Sequence, residues 1–363
     1  MKGLNFNMKI GVITFTYGQN YGNKLQNYAL VEFISKKYCN EVYTLQNFDK
    51  TTKGNFVDWL KKYIKKLIRY DDEKIIKNRK LKFESFNKKY LRYYDVILNK
   101  SNYNKFNDFD VLICGSDQIW NPFYNKDMIT YTAAFAKNVK RVSYAASIGI
   151  NQIPENLVEN YKKNIGTMDY IGVREMEGAE LLRKYINKEI SVQVDPTMLL
   201  TVNEWNEIVS KPNKKVEEEY ILTYFIKEMD IRAQKEIEAY SQKTKTKIIN
   251  LNSLNEKSWY DLDPCEFLWM IKNAKFVFSD SFHATVFSLI FHKPFHCFER
   301  INKEENNKQE SRLNTLLNYF NLNEKIGDFK AEKEKNVDWE NIDKIMENIK
   351  QKSIDYLENA IKN

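Results

Sequence analysis

The stretch KIGVITFTYGQNYGNKLQNYALVEFISKKY, residues 9–38, decides the fold. Its first seven residues, KIGVITF, are β-branched and apolar, which predicts a strand over 9–15. In GNKLQNYALVEFISKKY, residues 22–38, apolar side chains recur three and four apart, which predicts a helix. The loop between them holds Gly18 and Gly22, where backbone can approach a ligand closely and a helix N-terminus can meet an anion. It fits neither GxGxxG nor GxxxxGK[ST], so the loop carries no nucleotide fingerprint. Asn20, Asn23 and Lys24 suit a sugar or a phosphate, and they suit capping and turn formation equally well.

Outward from this unit the alternation continues. EVYTL (41–45), DVLICG (110–115), RVSYAAS (141–147), YIGVR (170–174) and ISVQVD (190–195) read as further strands separated by helical or basic segments. That is the pattern of a mostly parallel, doubly wound sheet. A second series follows DPTMLLT: strands at 220–226, 247–251, 275–279 and 295–298, with helices at 229–243, near 264–273 and at 283–291. We therefore expect an α/β chain of two Rossmann-like domains, 1–200 and 201–335, with a basic helical insertion at 49–105. A long amphipathic helix at 336–363 would pack back on the first domain. Ligands in such a fold lie in the cleft outside the carboxyl ends of the strands.

Composition supports two cores. The chain has 363 residues, 43% of them hydrophobic and 14% aromatic, too many for one ordinary core, and only 11 Gly and 6 Pro. No short-period repeat is present. MKGLNFNMKIGVITF runs directly into a strand rather than a cleavable apolar stretch, and the longest apolar run, 284–291, falls short of the roughly 20 residues a membrane span needs. A cytoplasmic protein is expected. Cys39, Cys114, Cys265 and Cys297 lie far apart with no CxxC pair, which suits buried thiols rather than disulfides or zinc.

The formal charge is +8, yet residues 53–105 alone hold 16 Lys and Arg against 6 Asp and Glu. Within them WLKKYIKKLIRY, 59–70, sets an apolar face against a lysine face. It reads as a helix packed on the domain or as one lying on an anionic membrane at the inner face of the cell. No DNA- or RNA-reading motif accompanies the charge, so nucleic acid is not expected.

Three segments carry chemistry. DVLICGSDQIWNP, 110–122, delivers Ser116, Asp117, Gln118, Trp120 and Asn121 to the carboxyl end of a buried strand. There Asp and Gln could orient hydroxyls and Trp could face a sugar ring; alternatively Ser116 or Asp117 caps a turn and Trp120 is core. VREMEGAELLRKY, 173–185, ends a strand with Arg174, a grip for phosphate or carboxylate, or a surface partner of Glu175 or Glu177. SDSFHATVFSLIFHKPFHCFER, 279–300, holds all three histidines, His283, His292 and His296. His283 follows Asp280 and Ser281 at a strand-to-helix junction, where an imidazole can exchange protons near neutral pH. Pro294 prevents the helix that would align His292 with His296, and no cluster of carboxylates or thiolates completes a site, so no metal is expected.

Together NYGNKLQNYAL, GSDQIWNP, SYAASIG, VRE, VDPTMLL, SDSFHATVFSLIFHKPF and SRLNTLL, in that order over residues 9 to about 322, resemble the polysaccharide pyruvyl transferase family. The resemblance implies a GT-B-like pair of domains and phosphoenolpyruvate as co-substrate, with no cofactor. It further implies transfer of pyruvate as a ketal onto a sugar of a cell-surface polysaccharide or its lipid-linked precursor. By the same resemblance His283 is the general acid or base and Arg174 reaches the donor; the residues themselves add Asp117 as a catalytic candidate and Asp280, Ser281 and Arg312 as donor-binding candidates. Asn20, Gly22, Asn23, Ser116, Gln118, Trp120 and Asn121 line the acceptor side. Many family members read Asp-Arg-Leu-His where this chain has Asp280, Ser281, Phe282 and His283, which leaves Arg312 or Arg300 to supply the missing cation. Two other functions compete: a GT-B glycosyltransferase with a nucleotide-sugar donor, and a membrane-associated binding module built on residues 53–105.

Overall fold

The computed structural model describes residues 8–47, 70–216, 218–300, 310–332 and 336–363. In the first half β1 (Lys9–Ile13), α1 (Tyr21–Lys37), β2 (Glu41–Thr44), α2 (Tyr70–Tyr90), β3 (Val111–Cys114), β4 (Lys140–Ala146), α3 (Glu155–Ile165), β5 (Tyr170–Val173), α4 (Met176–Arg183) and β6 (Ile190–Val192) follow in order. The second half runs β7 (Tyr220–Tyr224), α5 (Ile231–Thr244), β8 (Lys247–Asn250), α6 (Pro264–Asn273), β9 (Phe276–Ser279), α7 (Phe282–Ile290), β10 (Phe295–Cys297), α8 (Glu310–Tyr319) and α9 (Trp339–Lys362).

Six strands form one sheet in the order β2-β1-β3-β4-β5-β6, and four form the other in the order β10-β9-β7-β8. Every pairing is parallel. The fold is thus the α/β, GT-B-like class expected. Its central strands, VLIC of β3 and YILTY of β7, are buried throughout, as strands covered by helices on both faces must be. Strand order reverses between β1 and β3 in the first sheet and between β7 and β9 in the second, the switch points beside which folds of this kind place ligands.

Local chemistry sets the element ends. β1 stops two residues earlier than its composition predicts, because Thr14 turns inward and its Oγ1 donates to Ser116 O at 2.9 Å. Asn20 caps α1, its Oδ1 accepting from Asn23 N at 3.0 Å. The helix therefore begins at Tyr21, and Gly22, expected in the loop, sits in the first turn.

One core cluster runs through both halves. Tyr21 of α1 stacks on Phe267 of α6 with ring centroids 4.4 Å apart, and Trp205 meets Phe287 of α7 edge-on at 4.9 Å. Helix α2, the described part of the basic insertion, clamps this junction. Arg79 Nη1 donates to Tyr21 OH at 2.9 Å and Tyr260 O at 2.5 Å, its Nη2 donates to Gln19 O at 3.1 Å, and Lys82 pairs with Glu266 at 2.8 Å. Residues 59–69 of the amphipathic segment 59–70 lie outside the described residues. Among the described residues no helix is long and apolar enough to cross a membrane. Helix α9 touches both halves: Tyr356 OH donates to Ser143 O at 2.7 Å, while Trp339 stacks on His292.

Tyr21→Phe removes the acceptor of Arg79 Nη1 and the donor to Leu262 O in a buried junction. It should lower the free energy of unfolding by about 1 to 3 kcal/mol, read as a lower urea midpoint.

Candidate active site

The loops after β1, β3, β5, β6 and β9 converge where the halves meet. Gln26 of α1 ties the first two together: its Nε2 donates to Thr14 Oγ1 at 3.0 Å, and its Oε1 accepts from Ser116 N at 3.2 Å. Asn23 Nδ2 donates to Asp117 Oδ2 at 3.3 Å. Glu175, directly after Arg174, orders the end of β4: its Oε1 accepts from Ser147 Oγ at 3.0 Å, Ile148 N at 2.7 Å and Gly149 N at 3.0 Å. This explains why SYAASIG and VRE occur together.

At the centre lies a buried carboxylate. Asp195 Oδ2 accepts from Arg174 Nη1 at 2.6 Å and stands 3.5 Å from His283 Nε2, with Ser116 Oγ at 3.3 Å. Burial alone would raise the Asp195 pKa, but the charges of His283 and Arg174 and their hydrogen bonds outweigh it and hold the carboxyl well below the usual range. Burial also opposes charge on Arg174, whose pKa is nonetheless raised by Asp195, Asp117 and Glu175. Its Nη2 lies 3.7 Å from Asp117 Oδ1. His283 is 7% exposed, and its ring rests on Gly22 of α1, where a Cβ would fall 2.0 Å from Nδ1. Only glycine leaves room for the imidazole there.

Arg312 of α8 is buried as well. Its pKa is pushed down to about 10 by burial first and then by Arg174 and Arg300. The guanidinium groups of Arg174 and Arg312 both approach the Phe282 ring, at 4.7 and 5.9 Å. Ser281 caps α7 by accepting from Ala284 N.

Several expectations are corrected. Arg174 does not pair on the surface with Glu175 or Glu177; its side chain is 1% exposed and its Nη1 is paired with Asp195. Asp280 serves the scaffold, its Oδ1 accepting from Ile226 N at 2.8 Å and its Oδ2 from Arg300 Nε at 3.0 Å. Trp120 is fully buried, and its Nε1 donates to Tyr131 O at 2.9 Å, so the ring is core rather than a sugar platform. Gln118 and Asn121 are buried under Gly149 and shape the loop, as Ser116 does from inside. Asn20 acts as a cap.

His296 is buried against Phe298 and Phe329, its pKa lowered to about 4 by burial, and His292 pairs with Asp343 at 2.8 Å. Among the described residues no three His, Cys, Asp or Glu side chains gather to hold a metal. Sequence reasoning missed Asp195, Thr14, Gln26 and Glu175. The Asp-Pro-Thr run around Asp195 signals a cap, which its Oδ1 indeed makes with Thr197 N, but nothing local announces the partners of Oδ2.

A family model described as polysaccharide pyruvyl transferase matches residues 20–302. No curated protein matches the chain. Solved structures similar to it include a UDP-GlcNAc 2-epimerase of Methanocaldococcus jannaschii in complex with UDP-GlcNAc and UDP, 13% identical over 95% of this chain and 100% of that one, TM-score 0.40. A UDP-N-acetylglucosamine 2-epimerase from Rickettsia bellii is 9% identical over 98% and 97%, TM-score 0.47. A glycosyltransferase from Rickettsia africae ESF-5 is 12% identical over 99% and 100%, TM-score 0.45. At such scores these likenesses say nothing about chemistry.

Because its folded pKa is depressed, Asp195 contributes stability that is fully present above the ordinary value of 3.8 and is lost as pH falls below it. The gap in unfolding free energy between the native chain and Asp195→Asn should therefore be wide at pH 7 and narrow towards pH 3, measured by urea titration at both.

Proposed function

The chain belongs to the polysaccharide pyruvyl transferase family, and from that premise we propose that it moves the pyruvyl group of phosphoenolpyruvate, as a ketal, onto two hydroxyls of one sugar. The acceptor belongs to a cell-surface polysaccharide or its lipid-linked precursor. The observation that carries the reading is the meeting of His283 from one half with the Asp195–Arg174 pair of the other, 3.5 Å away.

In the reaction the donor methylene gains a proton and becomes a methyl group, which leaves the adjacent carbon electrophilic. Two sugar oxygens bond to that carbon and its bond to the phosphate oxygen breaks. Of the two hydroxyl protons, one replaces the proton given to the methylene and the other leaves with inorganic phosphate. His283 is the proton donor to carbon. Asp117 is suited to take a hydroxyl proton, being the more open of the two carboxylates around Arg174, with its side chain 17% exposed against 0% for Asp195.

The donor brings a phosphate and a carboxylate, and Arg174, Arg312 and His283 are the cationic groups suited to meet them. Arg312, whose guanidinium approaches Phe282 beside that of Arg174, takes the place of the arginine that the family carries at Ser281. Arg174 Nε and Nη2 are buried and have no hydrogen-bond partner among the described residues, which supports an anion drawing on the same guanidinium. On the acceptor side, Asn23 and Asp117 present polar atoms beside the first turn of α1.

Phosphoenolpyruvate should raise the melting temperature of the purified chain while UDP-GlcNAc does not; the opposite result would support the nucleotide-sugar glycosyltransferase. With a glycan acceptor, His283→Ala should reduce phosphate release by about 100-fold to 10,000-fold, whereas His292→Ala should leave it unchanged.

A further inference from the structure

We propose that Asp195 is the positioning residue of His283: one carboxylate oxygen, shared with Arg174, fixes which imidazole nitrogen keeps its proton and which is left to exchange one. The inference rests on the reading of His283 as the proton-transfer group.

The two oxygens of Asp195 have separate tasks. Oδ1 accepts from Thr197 N at 3.0 Å and from Thr197 Oγ1 at 2.8 Å, which pins the carboxylate to the turn after β6. Oδ2 is thereby aimed at Arg174 Nη1, 2.6 Å away, and at His283 Nε2, 3.5 Å away. His283 Nε2 is buried and makes no hydrogen bond among the described residues, and the carboxylate oxygen it is paired with is Asp195 Oδ2, at 3.5 Å. On its other side the ring lies against Gly22, close enough that a Cβ would sit 2.0 Å from Nδ1. The imidazole is held between a fixed carboxylate and a helix backbone.

The charges around it come from several elements. Asp195 follows β6 and Arg174 follows β5, and Asp117, after β3, reaches the imidazole only through Arg174, from whose Nη2 it lies 3.7 Å. Arg312 of α8 approaches Phe282, the neighbour of His283, while Asp280 is closed off by Arg300. Among the described residues the carboxylate paired with Nε2 is therefore the one that Arg174 neutralises.

A neutral His283 held this way carries its proton on Nε2, and Nδ1 is the nitrogen that works. In the imidazolium form both nitrogens carry hydrogen: Nδ1–H goes to the donor methylene, which leaves the neutral Nε2–H tautomer. Nδ1 then regains a proton from a sugar hydroxyl while Nε2–H stays in place opposite Asp195. Arg174 then acts through Asp195 as well, balancing the charge of the carboxylate that holds the ring.

With three histidines in the chain, nitrogen-15 NMR of histidine-labelled, full-length protein can read the tautomer of each, with His283→Gln assigning the signal. The native chain should show the Nε2-protonated form at His283, and Asp195→Asn should shift it towards Nδ1-protonated. In the same variant kcat should fall by about 100-fold to 10,000-fold, with KM for phosphoenolpyruvate within about threefold of native. A native His283 protonated on Nδ1 would overturn the proposal. So would a folded Asp195→Asn protein with native tautomer and native kcat, as a purely structural ion pair requires. If that variant does not fold, the native spectrum decides alone. Native protein that shows the Nε2 tautomer but releases no phosphate from phosphoenolpyruvate would defeat the functional reading and leave the positioning role of Asp195 standing.

Discussion

A single buried carboxylate organises the molecule. An ionised Asp placed out of water is costly unless opposite charge and hydrogen bonds surround it. Asp195 meets that demand with groups from four separate turns: Arg174, His283, the Ser116 hydroxyl and the Thr197 backbone and side chain. No one turn could supply them. The loops after β3, β5, β6 and β9 have to be in register together, so the two halves must be docked before the site exists.

Docking is the work of aromatic stacking and one arginine. Tyr21, one residue from the Gly22 that receives the imidazole, stacks on Phe267 of the opposite half and shares its hydroxyl with Arg79 of α2. The residues that join the halves and the residue that makes room for His283 thus lie on the same first turn of α1. Part of the positive charge concentrated in residues 53–105 finds a structural use here: Arg79 is buried in the junction, and Lys82 reaches Glu266 across it.

Several charges around the site are paired within the scaffold. Asp280 pairs with Arg300, and Glu175 Oε1 takes three donors at the end of β4. Burial and the nearby guanidinium groups of Arg174 and Arg300 work against the charge of Arg312. An anion beside it would relieve that opposition, whereas a neutral ligand would not.

Much of this was legible in the linear chain. Strands and helices follow from local periodicity, the caps at Asn20 and Ser281 from the residue types favoured there, and the placement of His283 from a strand that ends in Ser-Asp-Ser. These features depend on neighbours a few residues away, which the sequence alone determines. The partners of Arg174, Asp280, Trp120 and Asp195 were decided only by the tertiary structure. Each belongs to a turn whose side chains have several acceptable local roles, and the choice falls to whichever distant group arrives within hydrogen-bond or ion-pair reach. For Asp195 that choice turned a recognisable cap into the hub of the site: one oxygen satisfies its own turn, and burial forces the other to find charge elsewhere in the fold.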